Sequence, residues 1–289
     1  MAVFVLIPVF NRLHHTERVI RTLRAQTLTS LITIVVINDG STDGTEEYLT
    51  GQADVVQLLG DGNLWWGGAI DRGLTYALDK AGVDDYVLFL NNDTWFAPDY
   101  LETLIGVSRE HGDAAVGSVI HEEGHDPPLV SIGARIDINR LAVWDVLSDL
   151  SPEEQRQPLA VYSVDALSGR GTLYPVSLFR CYGRMYPRLL PHYLADYEIS
   201  MRFAREGNVP LLVSTRAIVY SPPEYGNDVS DMRWLQRMFS PRSSSNIIRR
   251  LAFFMLVGTP LQRITALVRL MYFSAWRNCL QIVRPGKVA

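Results

Sequence analysis

Cysteine is scarce: Cys181 and Cys279 are the only two in 289 residues, and they have no metal-ligand spacing. That excludes a disulfide framework and a thiolate metal centre, and it suits idle thiols in a reducing cytosol. No apolar run reaches the ~18 residues that a bilayer-spanning helix needs. Internal repeats and low-complexity stretches are missing too. The apolar start, Met1-Ala-Val-Phe-Val-Leu-Ile-Pro8, lacks a basic leader and a small-residue cleavage site. It reads as a first strand, not a signal peptide. Acid is absent from the last stretch: Arg233 to Ala289 holds ten Lys/Arg and no Asp or Glu. The remainder then carries 17 basic against 31 acidic residues, a body of −14 joined to a basic tail. Such a body does not suit a nucleic-acid partner. The asymmetry points to two environments, a metal-dependent site and an anionic surface.

What is present is a chain that is 47% hydrophobic, enough for one large domain or two small ones with a sizeable core. Val3–Pro8, Leu31–Asn38, Val55–Leu59 and Tyr86–Leu90 are short apolar runs bounded by polar or Gly-rich turns. Runs of this kind are strands buried on both faces of a parallel sheet. His15–Gln26 and Gly68–Lys80 lie between them with helical spacing, and Pro98 suits the first turn of a helix over Asp99–Glu110. The alternation predicts a doubly wound α/β sheet over the first ~100 residues. Further on, Val116–Ile120, Val130–Ile138 and Pro210–Val219 read as strands, and Ser148–Gln157 as a loop or short helix. Asp196–Glu206 reads as a helix with Gly207 as its C-cap. The division expected is a domain over 1–225 and a basic amphipathic helical segment over 226–289. In that segment Leu251–Val257 and Leu261–Trp276 flank Gly258-Thr-Pro260. The second piece fits the interface of an anionic membrane, or packs on protein.

Chemistry concentrates at strand ends, where open α/β sheets bind ligands. After the first strand comes Pro8-Val9-Phe10-Asn11-Arg12, and after the second Asn38-Asp39-Gly40-Ser41-Thr42-Asp43-Gly44-Thr45. Gly62-Asn63-Leu64-Trp65-Trp66-Gly67-Gly68-Ala69 leads into a helix, and Asn91-Asn92-Asp93-Thr94 closes the fourth strand on a carboxylate. Asp93 there can hold a divalent cation and, through it, a phosphate. Gly67 and Gly68 permit close backbone approach, and the following helix N-terminus favours a diphosphate. Asp71, on the first turn, reads as a donor contact or as a helix-dipole carboxylate. Trp65 and Trp66 read as sugar-stacking rings or as anchors of their loop.

In this order the segments resemble glycosyltransferase family 2, the inverting sugar transferases with a GT-A fold. The likeness covers roughly residues 2–220. NDGSTDGT resembles the family's nucleotide loop, and Asn91-Asn92-Asp93 its DXD-type metal motif. Leu194-Ala195-Asp196-Tyr197-Glu198-Ile199-Ser200-Met201-Arg202 resembles the acidic catalytic motif, and Ser168-Gly169-Arg170-Gly171 the acceptor-side strand. The NLWWGGA and ADYEIS segments are most similar to rhamnosyltransferase-like enzymes of bacterial surface polysaccharides.

The resemblance implies a Rossmann-like, mostly parallel sheet with flanking helices and a dTDP- or UDP-sugar donor. It also implies Mg²⁺ or Mn²⁺ on Asp93 and Asn91, and a glycan or lipid-linked acceptor at the cytoplasmic face of a membrane. Donor contacts fall on Pro8, Val9, Asn11, Arg12, Asp39, Asn63, Trp66, Gly67, Gly68, Asp71, Asn91, Asn92 and Asp93. Within that set, Asp39 is placed to accept from a base imide. The acceptor side falls on Trp65, Gly169, His192 and Glu198. Inverting transfer needs one base, and Asp196 is the candidate, with its neighbour Glu198 as the alternative. Two departures stand out: Asn91 replaces an acid, and Val219-Tyr220-Ser221-Pro222-Pro223 lacks the His that many relatives carry there. The rival classes are a nucleotidyltransferase, disfavoured because PVFNRLHH lacks glycine, and a silent nucleotide-sugar-binding subunit.

Overall fold

The computed structural model describes residues 1–28, 30–223, 233–240 and 243–269. Its first half alternates strand and helix as expected: β1 (Ala2–Val9), α1 (Leu13–Arg24), β2 (Leu31–Asn38), α2 (Thr45–Thr50), β3 (Val55–Leu59), α3 (Trp65–Lys80), β4 (Tyr86–Phe89) and α4 (Tyr100–Glu110). β5 (Ala115–Glu122), β6 (Leu129–Ser131), β7 (Ala134–Asp137), β8 (Ala142–Asp145), α5 (Pro152–Arg156) and β9 (Val161–Ser163) follow. Then come β10 (Thr172–Pro175), α6 (Val176–Tyr182), α7 (Ala195–Gly207), β11 (Leu211–Ser221), α8 (Trp234–Phe239) and α9 (Ile247–Val257).

The main sheet runs β3-β2-β1-β4-β10-β5-β11-β9, with β6 paired to the end of β5 and β7-β8 forming a separate hairpin. β1 pairs in parallel with β2 and β4, and β5 in parallel with β11, while β10 runs antiparallel to both β4 and β5. Period-2 burial in β1 builds two cores. Phe4 and Leu6 join Ile70 and Leu74 of α3 on one face. Val3, Val5, Ile7 and Val9 join Val19, Ile20 and Leu23 of α1 and Leu101 and Leu104 of α4 on the other. Each such fully buried aliphatic side chain contributes about 1.5–3 kcal/mol by leaving water. α3 lies close on the sheet because Gly73 has no Cβ; one would meet Ile37 Cδ1 at 3.0 Å.

Several boundaries differ from expectation for local reasons. α3 starts at Trp65, which itself takes left-handed backbone (φ 55°), so Trp66 sits on the first helical turn rather than in a loop. The strand expected over Val130–Ile138 is broken into β6 and β7 at Gly133, whose φ of +127° interrupts the ladder. The helix expected in Ser148–Gln157 is α5, opened by a capping box between Ser151 and Glu154. α7 is stopped by Asn208 in the left-handed region, φ 50°, not by Gly207. Gly207 is instead pressed on Tyr182, whose ring carbon a Cβ would meet at 2.6 Å. In the tail, α9 buries Phe253, Phe254 and Val257 in the same core as Phe203 of α7. Residues 260–269 form a further helix, Ala266 buried and Leu261, Ile264, Leu267 and Val268 exposed. Among the described residues no helix is long and apolar enough to cross a membrane. The expected boundary at 225/226, and the expected helix beyond residue 269, lie outside the described residues.

Candidate active site

The carboxyl ends of β1 and β2 are stapled to one another. Asn11 and Arg12 both take left-handed backbone, φ 59° and 64°. The Asn11 N–H donates to Ser41 Oγ at 2.8 Å, and its Oδ1 accepts from the Thr42 N–H at 2.9 Å. The Leu13 N–H donates to Asp43 Oδ2 at 2.8 Å, and the Val9 carbonyl accepts from the Asp39 N–H at 2.8 Å. PVFNR and NDGSTDGT are therefore one structural unit, with Pro8 and Val9 as its base. Phe10 was missed by sequence reasoning. It is 60% exposed at this strand end, an apolar ring left open where a flat ligand can stack.

Asp39 is buried, and both its oxygens hold the next loop. Oδ1 accepts from Gly62 N–H at 2.9 Å, and Oδ2 from Leu64 and Trp65 N–H at 3.0 and 3.1 Å. Its visible work is thus to shape the loop that carries Asn63 and to set the first turn of α3. A base imide N–H would share a carboxylate that already has three donors. Asn63, Gly68 and Asp71 line a cleft of ≈ 350 Å³ between α3 and residues 187–191. Asp71 lies 3.5 Å from the Arg184 guanidinium, and burial raises its pKa. The close approach that Gly67 permits is to the protein itself. Its N–H donates to the Pro191 carbonyl at 2.7 Å, and a Cβ would fall 2.6 Å from the Leu190 carbonyl oxygen. That N–H is therefore not aimed at a diphosphate.

At the end of β4 the three polar residues part ways. Asn92 is buried, and its Nδ2 donates to Thr16 Oγ1 at 3.2 Å, so its side chain serves α1 rather than a ligand. Asn91 Oδ1 accepts from the Trp66 indole Nε1–H at 3.0 Å. The oxygen expected to ligate a metal thus already holds a donor. Asp93 is 5% exposed; one oxygen lies 3.3 Å from Arg12 Nη1 and the other, Oδ1, is buried without a hydrogen-bond partner. An orphaned carboxylate oxygen at a strand end fits a cation. Among the described residues, however, no group of three His, Cys, Asp or Glu converges there. The segment expected to carry His in relatives runs beside this turn: Trp95 and Tyr220 exchange backbone hydrogen bonds of 3.1 and 2.9 Å. His15, whose sequence spacing suggests no ligand set, lies within electrostatic reach of Asp93. Burial and then His14 lower its pKa, with Asp93 opposing.

The two sides of the site meet at Trp66. While its indole N–H holds Asn91, its ring lies over Gly169, where a Cβ would fall 1.9 Å from Cζ2. The Gly169 N–H donates to Asp196 Oδ2 at 2.8 Å, and the Tyr197 N–H donates to Oδ1 at 3.0 Å. Asp196 is the second residue of α7 rather than its cap, which is Leu194. It is half-buried, and burial pushes its pKa up to about 6 against the pull of these N–H groups and of Arg170. That is the range of a general base poised near neutrality.

Glu198 does not join it. It is 2% exposed and forms a double contact with Arg202, at 2.9 and 3.0 Å. Two residues along a helix do not share a face, so Glu198 turns inward and is removed from the acceptor side and from the base assignment. Arg202 also donates to the Tyr182 and Arg184 carbonyls, anchoring the loop before α7. On that loop His192, its pKa lowered by burial, lies with its ring 5.7 Å from that of Trp65. The two expected acceptor-side aromatics are therefore together.

Residues 4–182 match the family described as glycosyl transferase family 2. An N-acetylglucosaminyl-diphospho-decaprenol L-rhamnosyltransferase of Mycobacterium tuberculosis is 30% identical over 116 residues, 37% of this chain and 38% of that protein. Glycosyltransferase GlyA of Streptococcus pneumoniae is 31% identical over 118 residues, 39% of this chain and 16% of that one. Among solved structures, GalNAc-T7 with UDP, GalNAc and Mn²⁺ superposes with a TM-score of 0.59 at 17% identity, over 77% of this chain and 44% of that one. Residues 1–349 of TarS from S. aureus give a TM-score of 0.53 at 17% identity, over 77% and 60%. The match thus spans well under half of the two sequence relatives' length. The structural likeness identifies the fold as GT-A.

Proposed function

Because the chain belongs to glycosyl transferase family 2, we propose that it transfers a sugar from a nucleotide-diphosphate donor, dTDP- or UDP-linked, to a hydroxyl of a bacterial surface glycan or lipid-linked acceptor, with inversion. One observation carries this reading. A single indole, Trp66, ties the strand-end motif at Asn91 to Gly169, which holds the raised-pKa carboxylate of Asp196. A carboxylate so placed removes the proton as the acceptor oxygen attacks the anomeric carbon and the bond to the diphosphate oxygen breaks, its electron pair leaving with the nucleotide. Arg12 and the stapled loops of β1 and β2 bind the donor, with Phe10 stacking on its base. Trp65 and His192 face the acceptor.

Asp93, with its orphaned oxygen, is the residue that would hold Mg²⁺ or Mn²⁺, and Asn91 would contribute its remaining lone pair. When bound, the ion neutralises charge developing on the leaving diphosphate. Undiminished turnover in EDTA, with no stimulation by either ion, would remove it from the reading.

The exposed apolar side chains on residues 260–269, within a stretch of ten basic and no acidic residues, support peripheral contact with an anionic membrane on its cytoplasmic side. A rhamnosyl donor is the first to test, in a panel of nucleotide sugars read by release of nucleoside diphosphate. Asp196→Asn is expected to abolish release while binding UDP or dTDP as the wild type does. Wild-type turnover in that variant would take Asp196 out of the mechanism.

A further inference from the structure

Arg12 occupies a place where a second cation is unwelcome. Its Nη1 lies 3.3 Å from Asp93 Oδ2, while Asp93 Oδ1 is buried with no partner. The contact is built rather than incidental. Arg12 and Asn11 are consecutive non-glycine residues in the left-handed region, and glycine would take that backbone without strain. The staples from Asn11 to Ser41 and Thr42 hold the strained turn, and the turn aims the guanidinium at Asp93.

The Arg12 side chain is 45% exposed, so leaving Asp93 for a nearby anion costs little. A planar guanidinium is well matched to phosphate oxygens. A divalent ion at Asp93 would find this fixed positive charge within a few ångströms and be repelled by it. With Asn91 Oδ1 already engaged by Trp66, little else among the described residues could offset that repulsion without the donor's own oxygens.

We propose that Arg12 is a resident counter-ion: it closes Asp93 against divalent cations in the donor-free protein and passes to the diphosphate when nucleotide and ion arrive together. The ion is thereby admitted with its substrate and excluded without it. This rests on the reading of Asp93 as a cation ligand given above.

The test is direct binding of Mn²⁺ to the full chain, followed by the electron paramagnetic resonance signal of free Mn²⁺ with and without UDP. Arg12→Gly preserves the left-handed backbone, and Arg12→Gln checks that the result is not peculiar to glycine. Without UDP, both variants are expected to bind Mn²⁺ about fivefold more tightly than wild type. With saturating Mn²⁺, both are expected to bind UDP about fivefold more weakly. Equal or weaker Mn²⁺ binding by the UDP-free variants, where wild type with UDP binds the ion, overturns the counter-ion role and leaves the metal reading standing. No Mn²⁺ bound by any of the three proteins, even with UDP, takes down both.

Discussion

At Gly169 one added carbon would sit 1.9 Å from the Trp66 ring, in the middle of the contact that joins the proposed donor and acceptor sides. Gly169→Ala must push the indole off, breaking its bond to Asn91 and loosening the N–H held by Asp196. A displacement of about 1 Å at a reacting centre can cost about 10²-fold in rate. Turnover of Gly169→Ala is therefore expected to fall by about that factor, measured by nucleoside diphosphate release, with tryptophan fluorescence reporting the shifted ring. As the proposed base, Asp196 sets the pH dependence. Its pKa is raised to about 6, and the base works only when ionised. kcat/KM should be flat above that value and fall tenfold per pH unit below it; a profile flat down to pH 4.5 would contradict the assignment. Asp196 and Asp93 stood out in the sequence because each follows a motif boundary, a strand end or a helix start. The structure sets both beside the cleft-facing elements, with one carboxylate raised in pKa by burial and one oxygen unpartnered. Asn92 and Glu198 were not legible. Whether such a side chain faces the cleft or the core depends on partners, Thr16 and Arg202, that lie on another element or a full helical turn away.

Between α3 and α7 the segment 183–194 acts as a strut. Arg202 grips the carbonyls of Tyr182 and Arg184, Asp71 of α3 pairs with Arg184, and the Pro191 carbonyl takes the Gly67 N–H. Its root is the buried Glu198–Arg202 pair. Removing one partner of a buried pair costs about 3–5 kcal/mol because the other charge is left without compensation. Glu198→Ala should lower stability by about that much in urea titration, and Glu198→Ala with Arg202→Met should recover part of it. The double variant should still lose turnover, since the strut is gone. The parallel strands were legible because strands buried on both faces read as unbroken apolar runs. The first turn of α3 was not, because Asp39 sets it from another strand. Nor was the direction of β10, which pairing with β4 and β5 decides.

Over the whole chain, the acid-free basic stretch also carries a cluster of exposed apolar side chains. The body carries −14 and the stretch from Arg233 carries ten basic residues, while Leu261, Ile264 and Val268 are each at least 60% exposed. Replacing these three with glutamine should reduce co-sedimentation with phosphatidylglycerol vesicles severalfold without lowering Tm. Unchanged sedimentation would assign the face to protein contact instead. β10 has a separate consequence at this scale. Because it runs against its neighbours, β10 begins at Thr172 on the side of the sheet where β4 and β5 end, with Leu173 opposite Val116 and β5 running on past it to Glu122. Residues 123–171 therefore leave from and return to the same side of the sheet, contributing only the short strands β6 and β9 to it. Evolution can lengthen, trim or exchange this excursion, and so rebuild the wall that ends in Gly169, while the strands carrying the donor loops keep their neighbours. Substrate diversification in such a chain can proceed through this one excursion rather than through a new fold.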